Sequence, residues 1–259
     1  MMTTTRQKTA YGAKGLIGLL TPQANTTVEP EFAILCPAGV AFITARMVSN
    51  KDGMEARLLD YAETVEATSV QFANAPIDAL AMGVTGPSYL IGQAAEDALV
   101  ERIAVARGLP LITTARAVCD ALALLEARTI TLLSPYPESL TAKSAEYWAS
   151  RGFTVHEIVQ LQTDGDSFHP IYAMPADAAT AALGAVKNNG TDAIVMLGRA
   201  CRHWRPLPPA RIGMDRRSSP ACSVWPGGPL PRPRAGNRIA PTWRGGCRPP
   251  IGAGRWPTS

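Results

Sequence analysis

Short, continuous apolar runs alternate with segments of helical length along most of this chain, and that alternation constrains the fold more than any other feature. The runs cover residues 15–21, 40–46, 77–82, 111–114, 129–133, 153–159 and 192–198. Few of them alternate polar with apolar residues, so they read as strands buried on both faces. Between them, helical patterns cover residues 53–74, 93–108, 115–127, 138–151 and 176–187, most of them closed by Gly, Pro or Asn. Leu58, Leu59, Tyr61, Ala62 and Val65 form an expected inward face on one helix. Ala94, Ala98, Leu99, Ile103 and Ala104 form another. This pattern predicts an α/β fold with doubly wound parallel sheets.

The order looks duplicated. The first strand, with its polar loop from Pro22 to Glu29, resembles the strand over 129–133 with Ser134, Pro135 and Tyr136. The strand ending at Met82, with its glycine loop, resembles the strand over 192–197 with Gly198. Two pseudo-symmetric halves then face each other across a cleft. The expected division is a flexible N-terminus over 1–13, a first half over 14–127, a second, truncated half over 128–198, and a tail over 199–259.

The tail differs in kind. Residues 1–198 carry 13 Lys and Arg against 20 Asp and Glu, a net of −7, whereas residues 199–259 carry 12 Arg, no Lys and the single acid Asp215, a net of +11. The tail is rich in Arg, Pro, Gly and Trp and shows no strand or helix period. A disordered basic arm is one reading. A shifted reading frame in a GC-rich gene is the reading preferred here. Codons for residues 198–204, read two bases on, permit Thr-Gly-Met-Pro-Thr-Leu, with the Leu forced. Those for residues 217–227 permit Val-Val-Ser-Cys-Met-Leu-Cys-Leu-Ala-Trp, with the Ala forced, which is a buried strand entering a helix. A nucleic-acid partner is not expected, since such arms usually carry Lys as well as Arg.

Other classes are poorly supported. No run of about 18 apolar residues marks a membrane span, and the polar N-terminus has no signal-peptide core. The five cysteines show no paired spacing, so a reduced, cytoplasmic setting is the default. Nucleotide-binding glycine motifs and the Gly-x-Ser-x-Gly elbow are absent. His156, His169 and His203 are scattered, Cys36 lies away from the strand ends, and Cys119 reads as a core residue in mid-helix.

The stretch over 79–92 carries the functional expectation. It reads as a strand, a tight loop and a helix starting at Gln93. Val84, Thr85, Gly86, Pro87 and Ser88 offer backbone N–H groups and two hydroxyls, which suit a carboxylate at a helix start. An ordinary βα turn with a capping hydroxyl fits the same residues. Asn25 after the first strand and Tyr136 after the fifth add side-chain donors at equivalent places, or else serve as a helix cap and a turn tyrosine.

The stretch from Leu20 to Glu29, with Asn25-Thr26-Thr27, resembles the opening motif of the maleate cis-trans isomerases. The loops Gly83 to Ser88 and Leu133 to Tyr136 fit the same family. More broadly, residues 12–198 resemble the aspartate/glutamate racemase superfamily, which includes arylmalonate decarboxylase. The resemblance implies two facing halves and a small carboxylate or dicarboxylate ligand, with no cofactor and no metal. It also implies cysteines on opposite faces of the substrate. Those positions fall at Val84 and at about Gly198. Substrate-binding roles fall on Asn25, Thr85 and Tyr136, joined by Gly86 and Ser88 from the loop itself. Tyr136 is the remaining acid–base candidate. The implied activity is cofactor-independent isomerisation or decarboxylation of a small dicarboxylate; the alternative is a carboxylate-binding protein without turnover. A homo-oligomer is left open.

Overall fold

The computed structural model describes residues 10–161, 181–184, 186, 189–198 and 224–226. The first half runs β1 (Gly15–Pro22), α1 (Val28–Leu35), β2 (Val40–Met47), α2 (Met54–Ser69), β3 (Ala79–Met82), α3 (Gly86–Arg107), β4 (Leu111–Thr113) and α4 (Thr114–Leu124). The second runs β5 (Thr129–Ser134), α5 (Glu138–Ser150), β6 (Thr154–Gln160), β7 (Ala193–Met196) and β8 (Val224–Pro226). Residues 181–184 and 186 are helical, within the segment expected to be a helix before β7. His169 and His203 lie outside the described residues.

Two four-stranded sheets result, ordered β2-β1-β3-β4 and β6-β5-β7-β8. The first is parallel throughout. The second is parallel except for β8, which runs antiparallel to β7. The strand β8 falls in the tail, where the sequence shows no strand period. In the doubly wound scheme each sheet needs apolar residues on both faces, and the central strands supply them: Leu19, Leu20, Leu132 and Leu133 are fully buried. One core cluster joins both halves, with Leu20, Leu58, Leu80 and Ile103 packed in the same body as Leu132, Leu140, Trp148 and Leu197.

The registers make the duplication explicit. Ile17 stands opposite Ala79 as Ile130 stands opposite Ala193. The Gly83 N–H donates to the Leu20 carbonyl at 2.7 Å, and the Leu197 N–H donates to the Leu133 carbonyl at 2.9 Å. Asp78 accepts from the Leu16 N–H at 2.7 Å; Asp192 accepts from the Thr129 N–H at 2.8 Å. By these matches Thr21 corresponds to Ser134 and Val84 to Gly198.

Three expectations need correction. The helix expected from Gln93 begins at Gly86, so Gly86, Pro87 and Ser88 form its first turn rather than a loop. Proline suits that turn because its missing N–H would have no helical partner there. Gly92, with φ 76° and ψ 171°, breaks the helix into two segments, and this break is what made the first seven residues look irregular. Second, Ala94 and Ala98 are exposed; the inward positions of α3 are Glu96, Leu99 and Ile103. Third, Leu59 faces out at 40% exposure while Leu58, Tyr61, Ala62 and Val65 are buried.

Candidate active site

The C-terminal ends of β3, β5 and β7 carry the loops that meet. Thr85 is the residue before the first turn of α3 and is buried. Its hydroxyl lies 3.3 Å from the Tyr136 hydroxyl, which comes from the other half. Gly198 completes the group. It adopts φ +60°, and a Cβ built there would sit 3.3 Å from the Tyr136 hydroxyl oxygen and 3.1 Å from Pro135 Cγ. The structurally equivalent positions Val84 and Gly198 therefore both border the Thr85–Tyr136 pair, one through its chain neighbour and one directly.

Tyr136 is held from behind. Its N–H donates to Ser134 Oγ at 3.3 Å. Its carbonyl accepts from Gln160 Nε2 at 2.5 Å and from Thr141 Oγ1 at 3.1 Å. Ser134 Oγ and Thr141 Oγ1 are 2.6 Å apart. Pro135 and Pro137 flank the residue and restrict its backbone further. The ring packs edge-on to Tyr89, with centroids 6.5 Å apart. The loop-reading of this segment located Tyr136 but missed Ser134, Thr141 and Gln160; the Ser-Pro pair at a strand end was the available signal for the first of these.

The other expected residues are placed less uniformly. Gly86 and Ser88 are buried in the first turn of α3, where the N–H groups of a helix start lack helical partners and the dipole favours an anion. Gly86 also has a packing role, since a Cβ there would approach Leu58 Cδ1 to 2.6 Å. Asn25 is mainly a helix cap: its Oδ1 accepts from Thr27 N, Thr27 Oγ1 and Val28 N at 2.9, 3.1 and 2.9 Å. Its Nδ2 donor makes no hydrogen bond among the described residues. Among the described residues no hydrogen bond joins Asn25 to the Thr85–Tyr136 pair. Arg46 holds the Asn25 loop by donating to the carbonyls of Asn25 at 2.6 Å and Pro22 at 3.2 Å, and it pairs with Glu29.

A second polar cluster fixes α3 against α5. Glu96, fully buried, accepts from Thr113 Oγ1 at 2.6 Å, Tyr147 OH at 2.6 Å and Arg151 at 2.5 Å. Arg151 also donates to Asp97 at 2.8 and 3.0 Å. Burial opposes the Arg151 charge, but its bonds to Asp97, Glu96 and Tyr147 outweigh that and raise its pKa. Burial and the adjacent Glu96 charge raise the Tyr147 phenol. Cys119 borders the same cluster, and burial pushes its thiol up to about 12. Burial also raises the Cys36 thiol, at the end of α1. Both thiols are thus protonated at neutral pH, as poor nucleophiles are. His156 is exposed on β6. Among the described residues no group of three or more His, Cys, Asp or Glu side chains is placed to hold a metal, and no helix is long and apolar enough to cross a membrane.

The paired sheets and the convergence of their strand ends are features shared with known proteins. The sequence profile of the arylmalonate decarboxylase family matches residues 17–197. The chain belongs to the arylmalonate decarboxylase family. It is also 26% identical over 192 residues to a maleate isomerase of Nocardia farcinica, covering 70% of this chain and 74% of the relative. Two solved structures share the fold. A Cys-to-Ser mutant of the Nocardia farcinica maleate cis-trans isomerase, with a covalently bound succinylcysteine intermediate, matches with TM-score 0.63 at 22% identity, over 74% of this chain and 81% of that one. Arylmalonate decarboxylase matches with TM-score 0.58 at 21% identity, over 72% and 78%. Family and relative together support an isomerase- or decarboxylase-like function and do not decide between the two.

Proposed function

We propose that this arylmalonate decarboxylase family member takes a small dicarboxylate at the junction of Thr85, Tyr136 and Gly198, without a cofactor or metal. The observation that carries the reading is the 3.3 Å approach of the Thr85 and Tyr136 hydroxyls across the two halves, with Gly198 beside them. One carboxylate lies against the first turn of α3, where Thr85, Gly86 and Ser88 supply donors; the other accepts from Asn25 Nδ2. Tyr136 is the acid–base group. Its phenol moves a proton to or from the carbon next to the carboxylates, and donors at the helix start hold the enediolate charge that develops there.

Val84 and Gly198 bear on which reaction fits. The Nocardia farcinica relative carries a succinyl group on a cysteine. Neither Val nor Gly can form such an adduct. Proton transfer or decarboxylation by Tyr136 needs no adduct and therefore suits this chain better than covalent isomerisation. The same two residues favour a second reading, in which the site binds a dicarboxylate and does not turn it over.

Isotope exchange separates the two. Malonate, phenylmalonate and maleate are incubated in deuterated water, and deuterium at the α-carbon and released carbon dioxide are followed. Exchange that is lost in Tyr136→Phe supports the enzyme. Ligand-induced thermal stabilisation without exchange supports binding alone. If none of the three ligands raises the melting temperature, or if Thr85→Val and Asn25→Ala leave that rise intact, the site assignment is wrong.

A further inference from the structure

The backbone of Tyr136 is held by groups that the sequence did not single out, and one of them sits where the geometry allows a clean test. We propose that Gln160 is a positioning residue: by donating to the Tyr136 carbonyl it aims the phenol at Thr85. The inference rests on the reading of Tyr136 as the working group of the site.

Gln160 is the last residue of β6 and stands in register opposite Ser134, the last residue of β5. The strand pairing therefore places its side chain over the loop that leaves β5. The Tyr136 carbonyl is an acceptor, so the Gln160 amide must turn its NH2 toward it, at 2.5 Å. Its Oε1 then faces Thr141 Oγ1, 3.3 Å away. The remaining partners close a ring. Thr141 Oγ1 is within 3.1 Å of the same carbonyl, Ser134 Oγ is 2.6 Å from Thr141 Oγ1, and the Tyr136 N–H donates to Ser134 Oγ. Both polar backbone groups of Tyr136 are thus engaged by residues of its own half. With prolines on either side, little backbone freedom is left for the ring to be carried anywhere else.

The first half supports this assignment independently. Thr21 corresponds to Ser134, and its register partner on β2 is Arg46. Arg46 donates to the carbonyls of Pro22 and Asn25, in the loop that leaves β1. At the same register position in each sheet, a long side chain with terminal N–H donors reaches over the loop and binds its carbonyls. In one half the loop presents Asn25; in the other it presents Tyr136. Ser134 and Thr141 are buried and also support the loop as packed groups, whereas Gln160 is exposed. Removing its amide changes the hydrogen bond without opening the core.

The test uses the full chain labelled with 3-fluorotyrosine. Six tyrosines give six fluorine signals, and Tyr136→Phe identifies the one from Tyr136. Gln160→Leu is expected to shift and broaden that signal, to leave the melting temperature within about 2 °C, the range of a surface change, and to lower isotope exchange about ten- to a hundred-fold with little change in half-saturation. Gln160→Arg, which copies the donor of the first half, is expected to return the signal toward its original position. An unmoved Tyr136 signal in Gln160→Leu overturns the proposal, and so does a shifted signal that Gln160→Arg leaves unrestored. A shifted and restored signal in a protein whose wild type exchanges no isotope supports the positioning role and counts against the acid–base reading of Tyr136.

Discussion

Thr21 and Ser134 hold the same place in their sheets, as do Arg46 and Gln160, Asp78 and Asp192, and Val84 and Gly198. The two halves nevertheless solve the same local problem differently. The loop after β1 is closed by a charged donor and by an asparagine that caps α1. The loop after β5 is closed by a neutral amide and a ring of hydroxyls around a buried tyrosine. The first arrangement leaves the Asn25 Nδ2 donor without a hydrogen bond among the described residues. The second delivers a phenol. The same scaffold thus presents an amide in one half and a phenol in the other, and the difference lies in a handful of side chains at fixed register positions.

The sharpest contrast is at the fourth strand, parallel in the first sheet and antiparallel in the second. If the frame shifts after Gly198, the gene read two bases on around codons 197–204 stays open and continues with strand and helix text. A stop codon there removes the idea. A chain rebuilt in that frame should gain several buried side chains at about 1.5–3 kcal/mol each, enough to raise the melting temperature by about 10 °C or more. The next effect tests whether the halves stand alone. Arg151→Met leaves the fully buried Glu96 carboxylate without its cation, and should cost about 3–5 kcal/mol. Both halves should then melt together in one lowered transition by calorimetry; two separated transitions would show that each half is independently stable.

Smaller effects probe the matched positions. Gly198→Ala forces a side chain into φ +60° and against Pro135, at about 1–2 kcal/mol, whereas Val84→Ala, a half-buried site of ordinary backbone, should cost about 1 kcal/mol or less. Urea midpoints measure both, and equal shifts would erase the distinction. The smallest effect concerns Asp192. Backbone N–H groups of Thr129, then Arg128, hold the Asp192 carboxyl below its ordinary 3.8. A lowered folded pKa means stabilisation that is present above the ordinary value and lost as pH falls through the lowered one. The destabilisation in Asp192→Ala should therefore be present at pH 7 and shrink as melts are taken below pH 3.8. A difference that persists unchanged in acid rules this out.

Much of this was legible in the residues because buried parallel strands leave a distinctive text. Leu19-Leu20 and Leu132-Leu133 announce central strands without reference to anything distant. The start of α3 was not legible, because Gly86-Pro87-Ser88 reads equally as a turn, and Gly92 supplies a second break just where a helix would otherwise be continuous. Glu96 was missed for a different reason. An acid at an inward position looks like a surface residue unless its partners are known, and Tyr147 and Arg151 lie 51 and 55 residues further on. The site followed the same rule. Thr85 and Tyr136 were each recognisable as residues at strand ends, but nothing local reveals that their hydroxyls touch. The capping role of Asn25, whose Oδ1 accepts from the Thr27 and Val28 N–H groups, was by contrast legible locally as one of the two readings of that residue. The strand β8, in Arg- and Pro-rich text, carries no pattern at all.

The Thr85–Tyr136 contact has a mechanical consequence. Its two oxygens belong to loops on different sheets, so a ligand bridging them acts as a removable cross-link between the halves. Whatever free energy it contributes on binding also opposes their separation, about 2.7 kcal/mol at a concentration one hundred times its dissociation constant. Occupancy should therefore protect the amides along the seam between α3 and α5, including those around Glu96 and Arg151.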